Sequence, residues 1–145
     1  MAKKKIKPVA IIVSKFNEEI TKGLLDGALA TLHAHGFDKK SVKIFYCPGA
    51  FEIPFVAKKL CKKKKYSAII CLGAVIKGET AHFEFISSAV SRGIQQVMLE
   101  YEIPVIFGVI TTYNEEQAKA RSANDENNKG REAALAAIEL LKLKI

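Results

Sequence analysis

Four short segments of this 145-residue chain hold side chains whose types and spacing could bind a ligand and move protons. Phe16-Asn17 follows an apolar run. An aromatic face there can stack on a planar heterocycle or plug the core beneath it. Pro48-Gly49-Ala50-Phe51-Glu52 offers a backbone that Gly49 can bring close to a ligand or set at an unusual dihedral. Glu52 can accept hydrogen bonds from ligand hydroxyls or complement the positive end of a helix. Gly73 to His82 (GAVIKGETAH) combines two glycines, Glu79, Thr80 and a helix start. Such a segment is a natural anion site, because unpaired backbone N–H groups and the helix dipole both favour phosphate. It matches neither the GxxxxGK[ST] loop nor the GxGxxG dinucleotide fingerprint. His82 supplies an imidazole able to accept a proton and return it, against the plain reading of an ordinary surface histidine. Near the end, Gln117, Arg121, Lys129 and Glu132 alternate in charge. They read as a solvated helix pair or, with Arg121 as a planar fork, as a phosphate contact.

These segments need elements to hold them. Pro8–Ser14 reads as a first strand, and Glu18–His35 as a helix with Ile20, Leu24, Leu25, Ala28, Leu29 and Leu32 on one face. Asn17 suits its N-cap and Gly36 its stop. Val42–Cys47 reads as a strand, Ile53–Lys64 as a helix with Pro54 in its first turn, and Ser67–Ile76 as a strand buried on both faces. His82–Glu100 reads as a helix and Pro104–Thr111 as a strand. Asn114-x-x-Gln117 resembles a capping box opening a short helix, and Asn127–Gly130 a turn entering a last helix over Asn128–Leu143. Strand and helix in alternation predict a parallel sheet covered on both faces. In open sheets of this kind ligands bind beyond the carboxyl ends of the strands, which directs attention to Lys15–Asn17, Pro48–Glu52, Lys77–His82 and Thr112–Asn114.

The bulk properties narrow the classes. Half the residues, 49%, are apolar, enough for one core, so residues 1–145 read as a single domain with residues 1–7 as a flexible basic arm. No apolar stretch is long enough to span a membrane, and no signal core follows the basic start, which leaves a cytoplasmic address as the expectation. Cys47, Cys61 and Cys71 are scattered, without a CxxC pair, and read as small, partly buried apolar residues. His33 and His35, two apart, do not share a helical face, so no metal site is expected. The net charge of +8 invites a nucleic-acid reading. Much of the excess lies in Lys3–Lys7 and Lys58–Lys65, without interleaved aromatics or a recognised motif, and each cluster read by itself is a solvated surface.

In order and spacing, Phe16-Asn17, PGAFE (48–52), LGAVIKGETAHF (72–83), PVIFGVITT (104–112), EQAKAR (116–121) and NKGREAA (128–134) resemble the lumazine synthase family over nearly the whole chain. The resemblance implies a flavodoxin-like three-layer α/β sandwich with a four-stranded parallel sheet. It also implies homopentamers, or multiples of pentamers up to icosahedral shells, with the active site shared between neighbouring subunits. The implied reaction is a cofactor-free transfer in riboflavin biosynthesis. It joins 5-amino-6-(D-ribitylamino)uracil to 3,4-dihydroxy-2-butanone 4-phosphate, giving 6,7-dimethyl-8-ribityllumazine with loss of phosphate and water. Carried over by position, Phe16 stacks on the pyrimidine; Ala50, Phe51 and Glu52 hold that substrate, Glu52 at the ribityl hydroxyls; Ala74, Val75 and Ile76 line the pocket. Glu79 and Thr80 cradle phosphate, and His82 is the proton donor and acceptor. Phe107 and Arg121 come from the adjacent subunit, closing the ring pocket and binding phosphate. Asn17, Lys129 and Glu132 match accessory positions. The sequence departs from the family at SANDENN (122–128), where many relatives carry a glycine-containing connection, at a joint that bears on how pentamers pack. Two other classes compete: a non-catalytic flavin- or lumazine-binding module, which has no need of His82 and Arg121 together, and a basic nucleic-acid-binding protein.

Overall fold

The computed structural model describes residues 7–145, so the segment ahead of Lys7, read above as an arm, lies outside the described residues. The elements in chain order are β1 (Val9–Ser14), α1 (Glu18–Ala34), β2 (Val42–Cys47), α2 (Ile53–Lys62), β3 (Ala68–Ile76), α3 (His82–Tyr101), β4 (Val105–Thr112), α4 (Glu115–Ser122) and α5 (Lys129–Lys142). Single 3-10 turns, Lys39–Ser41 and Ala50–Glu52, precede β2 and α2.

The strands form one sheet in the order β2-β1-β3-β4, and every neighbouring pair is parallel. In register, Val13 lies beside Tyr46 on one side and Leu72 on the other, and Cys71 lies beside Phe107. Side chains alternate across a strand, so β1 and β3 each feed two cores. Val9, Ile11, Ile70 and Leu72 pack with residues of α1, α4 and α5. Ala10, Ile12, Ile69 and Cys71 pack on the other face with α2 and α3. All of β3 but Ile76 is buried. The result is the parallel sheet covered on both faces that the alternation of elements predicts, and the three-layer, flavodoxin-like sandwich that the family resemblance implies.

Helix ends follow local chemistry with two departures from expectation. Gly36 ends α1 at φ 92°, in the left-handed region where glycine has no Cβ penalty. Asn17 stands at the N-cap position of α1, but it is itself left-handed (φ 63°) and its side chain makes no capping bond. Instead its Nδ2 donates to the Ala74 carbonyl, 3.4 Å away on β3. At α4, the Gln117 N–H donates to Asn114 Oδ1 (2.8 Å), as a capping box requires. The return bond reaches one residue further back: Tyr113 N–H donates to Gln117 Oε1 (2.8 Å). The three cysteines are fully rather than partly buried.

Asn128, read from the sequence as part of a turn, is a lock between helices. It is 3% exposed. Its Oδ1 accepts from Arg131 N–H (3.0 Å), capping α5, while its Nδ2 donates to the carbonyls of Gly23 (3.1 Å) and Ala123 (2.9 Å). The helices meet through glycine: a Cβ at Gly130 would collide with the Leu24 carbonyl, and one at Gly27 with the Asn128 side chain. Asn128→Ala removes a helix cap and leaves the Ala123 carbonyl without this donor. It should lower the free energy of unfolding by about 2 kcal/mol, read as a fall in the urea midpoint at fixed protein concentration; an unchanged midpoint would refute the lock.

Candidate active site

In a 2-1-3-4 sheet the chain leaves β1 toward β2 and leaves β3 toward β4, and the diverging connections open a crevice above the β1–β3 boundary. A cleft of about 460 Å³ occupies that place. Phe16 and Asn17 border it from the end of β1, Ala50, Phe51 and Glu52 from the β2–α2 connection, Ala74, Val75 and Ile76 from β3, and His82 from the start of α3. The walls are tied together by backbone bonds, Lys15 N–H to the Cys47 carbonyl (2.9 Å) and Phe16 N–H to the Pro48 carbonyl (3.0 Å).

Phe16 is 71% exposed, so it is no plug over the core of its own chain. Its ring presents an apolar face to the cleft mouth, as does Phe51. Glu52 is the only carboxylate among the lining residues and ends the 3-10 turn ahead of α2, without a side-chain capping bond. Its Oε1 lies 3.4 Å from where a Cβ on Gly49 would stand. Gly49 itself is in ordinary extended conformation (φ −147°), so what its lack of a side chain provides is space and not an unusual dihedral. Pro48 and Gly49 also line the cleft, as does Ile86, which the sequence reading does not single out and which follows His82 by one helical turn.

Glu79 and Thr80 are not among the residues that line this cleft. They lie exposed in the loop leading to His82, which is the first residue of the 20-residue α3. Thr80 Oγ1 accepts from His82 N–H (3.4 Å). Lys77 N–H is committed to the Thr112 carbonyl (2.9 Å), whereas among the described residues no backbone acceptor takes the N–H groups of Gly78, Glu79, Thr80 or Ala81. Unpaired donors at the positive end of a long helix suit an anion.

The remaining predicted residues stand elsewhere. Phe107, Arg121, Lys129 and Glu132 line a second cleft of about 330 Å³, formed by β4, α4 and α5, which has no lining residue in common with the first. Lys129 Nζ pairs with Glu132 Oε2 at 2.7 Å. Arg121 makes no ion pair among the described residues and gives one donor to the Gln117 carbonyl (3.2 Å). Of the two cations, Arg121 therefore keeps more donors for an external anion. One chain thus carries a ring-and-imidazole cleft and, separately, an aromatic-and-guanidinium cleft.

Compared with known families, residues 7–144 match the family model for 6,7-dimethyl-8-ribityllumazine synthase. The chain belongs to the lumazine synthase family. That family is one of transferases in riboflavin biosynthesis. Among the described residues no helix is long and apolar enough to cross a membrane, and no group of three or more His, Cys, Asp or Glu side chains could hold a metal ion.

The geometry separates stability from binding at two positions. Phe16→Ala should change the unfolding free energy little, because the ring is exposed, yet weaken binding of a ribitylaminouracil-like heterocycle by 1–3 kcal/mol, about 5- to 150-fold, the worth of a lost stacking partner. Calorimetric titration beside thermal melts checks both halves. Cys47, whose Sγ contacts the Gly49 carbonyl (3.4 Å), has its thiol pushed up from an ordinary 9.0 to about 11, first by burial and then by the Glu52 carboxylate. Burial and the Glu100 carboxylate raise Cys61 to about 11 as well. Since the unfolded thiols ionise first, these groups favour the folded state fully below pH 9.0, and that contribution is lost as pH rises to about 11. Native protein at pH 8 should leave a disulfide thiol reagent unreacted until denaturant is added; rapid native labelling would contradict the burial.

Proposed function

We propose that the protein is 6,7-dimethyl-8-ribityllumazine synthase, acting at sites completed between copies of the chain in a pentamer or a multiple of one. The reading rests on family membership and above all on one observation: complementary halves of the required chemistry lie in two separate clefts of one chain. A pyrimidine stacked on Phe16, with its ribityl chain toward Glu52, would occupy the first cleft. The phosphate of the ketose would meet the Gly78–Ala81 donors, with Arg121 and Phe107 of a neighbouring copy closing over both substrates. A head-to-tail contact that sets the second cleft of each copy against the first cleft of the next is heterologous, and it closes into a ring when its rotation divides the full turn.

The chemistry asks for positioning and proton transfer. The 5-amino group of the pyrimidine attacks the ketone, and the carbinolamine loses water to give an imine. Removal of a proton from the adjacent carbon drives elimination of inorganic phosphate. The resulting enol tautomerises to a ketone, which the ribityl-bearing nitrogen attacks, and a second water leaves as the ring closes. His82, at the cleft wall beside the anion loop, would take and return these protons. Holding two substrates in register supplies most of the acceleration.

Lumazine formation from the two purified substrates, followed by its fluorescence, tests the activity; no product above the uncatalysed background would overturn it. His82→Ala should slow kcat by about 10²-fold, while Arg121→Ala should chiefly raise KM for the ketose phosphate. Co-assembly of the two variants is more decisive. In a mixed ring of equal parts, about a quarter of the contacts pair an intact His82 with an intact Arg121 from the neighbour. With the ketose phosphate held well below the KM of the Arg121→Ala variant, where each variant alone is slow, mixed assemblies should recover about that share of wild-type activity. A site contained in one chain would show no recovery.

A further inference from the structure

Lysines that the sequence keeps apart, Lys7, Lys39, Lys40 and Lys62–Lys65, come together in the fold. Because all four strands are parallel, the residues just ahead of each strand gather at the edge of the sheet opposite the first cleft. Lys7 precedes β1, Lys39 and Lys40 precede β2, and the run Lys62–Lys65 precedes β3; all seven are exposed. In the order β2-β1-β3 these three beginnings are immediate neighbours, spaced by about 5 Å per strand. They are bonded across: Ser67 N–H donates to the Pro8 carbonyl (2.9 Å) and Ser67 Oγ to the Lys7 carbonyl (2.9 Å).

Internal compensation is small. Asp38 is the one carboxylate in these three connections, and its Oδ1 already accepts from Lys40 N–H, Ser41 N–H and Ser41 Oγ. None of the seven lysines is in an ion pair among the described residues; the nearby pair is Lys58 with Glu100 (3.7 Å). Helices α1, α2 and α3 end at this edge, and their negative poles amount to about half a charge each. That offsets Lys62 in the last turn of α2 but not a row of seven cations.

We infer that this row is a docking surface for a nucleic-acid backbone, read without regard to base sequence. The shape of the charge favours a linear polyanion over an anionic bilayer. The cations follow the line β2-β1-β3, whereas the last turn of α3 and the connection from it to β4 carry Glu100 and Glu102. A strand can follow the row and avoid these carboxylates; a membrane plane would lie against them. The aromatics here are turned inward, Phe37 into one core and Tyr66 edge-on to Phe45 (5.9 Å), which leaves phosphate contact and not base stacking as the mode of binding. This inference is independent of the proposed reaction.

The test uses the intact protein and a labelled mixed-sequence RNA of about 20 nucleotides, followed by anisotropy. With about four phosphates neutralised, log K against log salt should fall with a slope near −3, so affinity drops about 50-fold from about 50 to about 200 mM salt. Lys63→Glu with Lys65→Glu should cost at least about tenfold, leaving the left-handed Lys64 (φ 54°) untouched. Lys22→Glu with Lys119→Glu, which alters net charge equally away from this edge, should cost less than about threefold. If the first pair lowers the thermal transition, Lys63→Gln with Lys65→Gln replaces it and should still weaken binding severalfold. Absence of saturable binding at low salt, equal losses in the two charge-matched variants, or tighter binding to phosphatidylserine-containing vesicles than to RNA would each overturn the inference.

Discussion

Parallel pairing of four strands is the constraint from which the rest of the molecule follows. Parallel neighbours cannot be joined by a hairpin, so each connection must cross back over a face of the sheet. Every strand therefore ends at one edge, and the helices that follow directly from strands begin there. That edge collects carboxyl ends of strands and positive ends of helices, and it carries the Phe16, Glu52 and His82 cleft. The opposite edge collects the connections that precede the strands, and with them the lysines. One topological fact thus sorts the chain into a ligand edge and a basic edge.

Within that frame, packing decides where the second half of the chemistry stands. Lys129 and Glu132 are on the first turn of α5, and α5 is seated on α1 by Gly130 against Leu24 and by the three bonds of Asn128. The bond from Asn128 to the Ala123 carbonyl also fixes the chain just after α4, which carries Arg121. The same contacts that hold the layer together thus set the position of the guanidinium and of the Lys129–Glu132 pair. This joint spans residues 122–128, and a buried asparagine closes it.

The two clefts give β4 a double role. Its strand-end connection ties down the anion loop through the Thr112 carbonyl, and its own residues, including Phe107, wall the second cleft. The short bonds between Tyr113, Asn114 and Gln117 join that strand end to α4. Under the proposed reaction, one chain contributes to two sites, and this joint is the covalent and hydrogen-bonded link between its two contributions.

Much of this was legible in the sequence, because its causes are local. The period of Leu24, Ala28 and Leu32 marks α1, the unbroken apolar run marks β3 as a doubly covered strand, and Gly36 marks a left-handed stop. The motifs from Phe16 to Glu132 identify the family, since several exact segments in fixed order leave little room for coincidence. Other features were not legible. Asn17 looked like a cap and instead reaches across to Ala74, a contact 57 residues away; Asn128 looked like a turn and bonds Gly23, 105 residues away. Nothing in local periodicity encodes such partners, because they depend on which face each crossover takes. The sequence alone determined the elements, their parallel arrangement and the chemical inventory. Only the tertiary structure decided that the inventory divides between two clefts and that lysines from three separate connections form one row, because both are consequences of strand order, which no single segment contains.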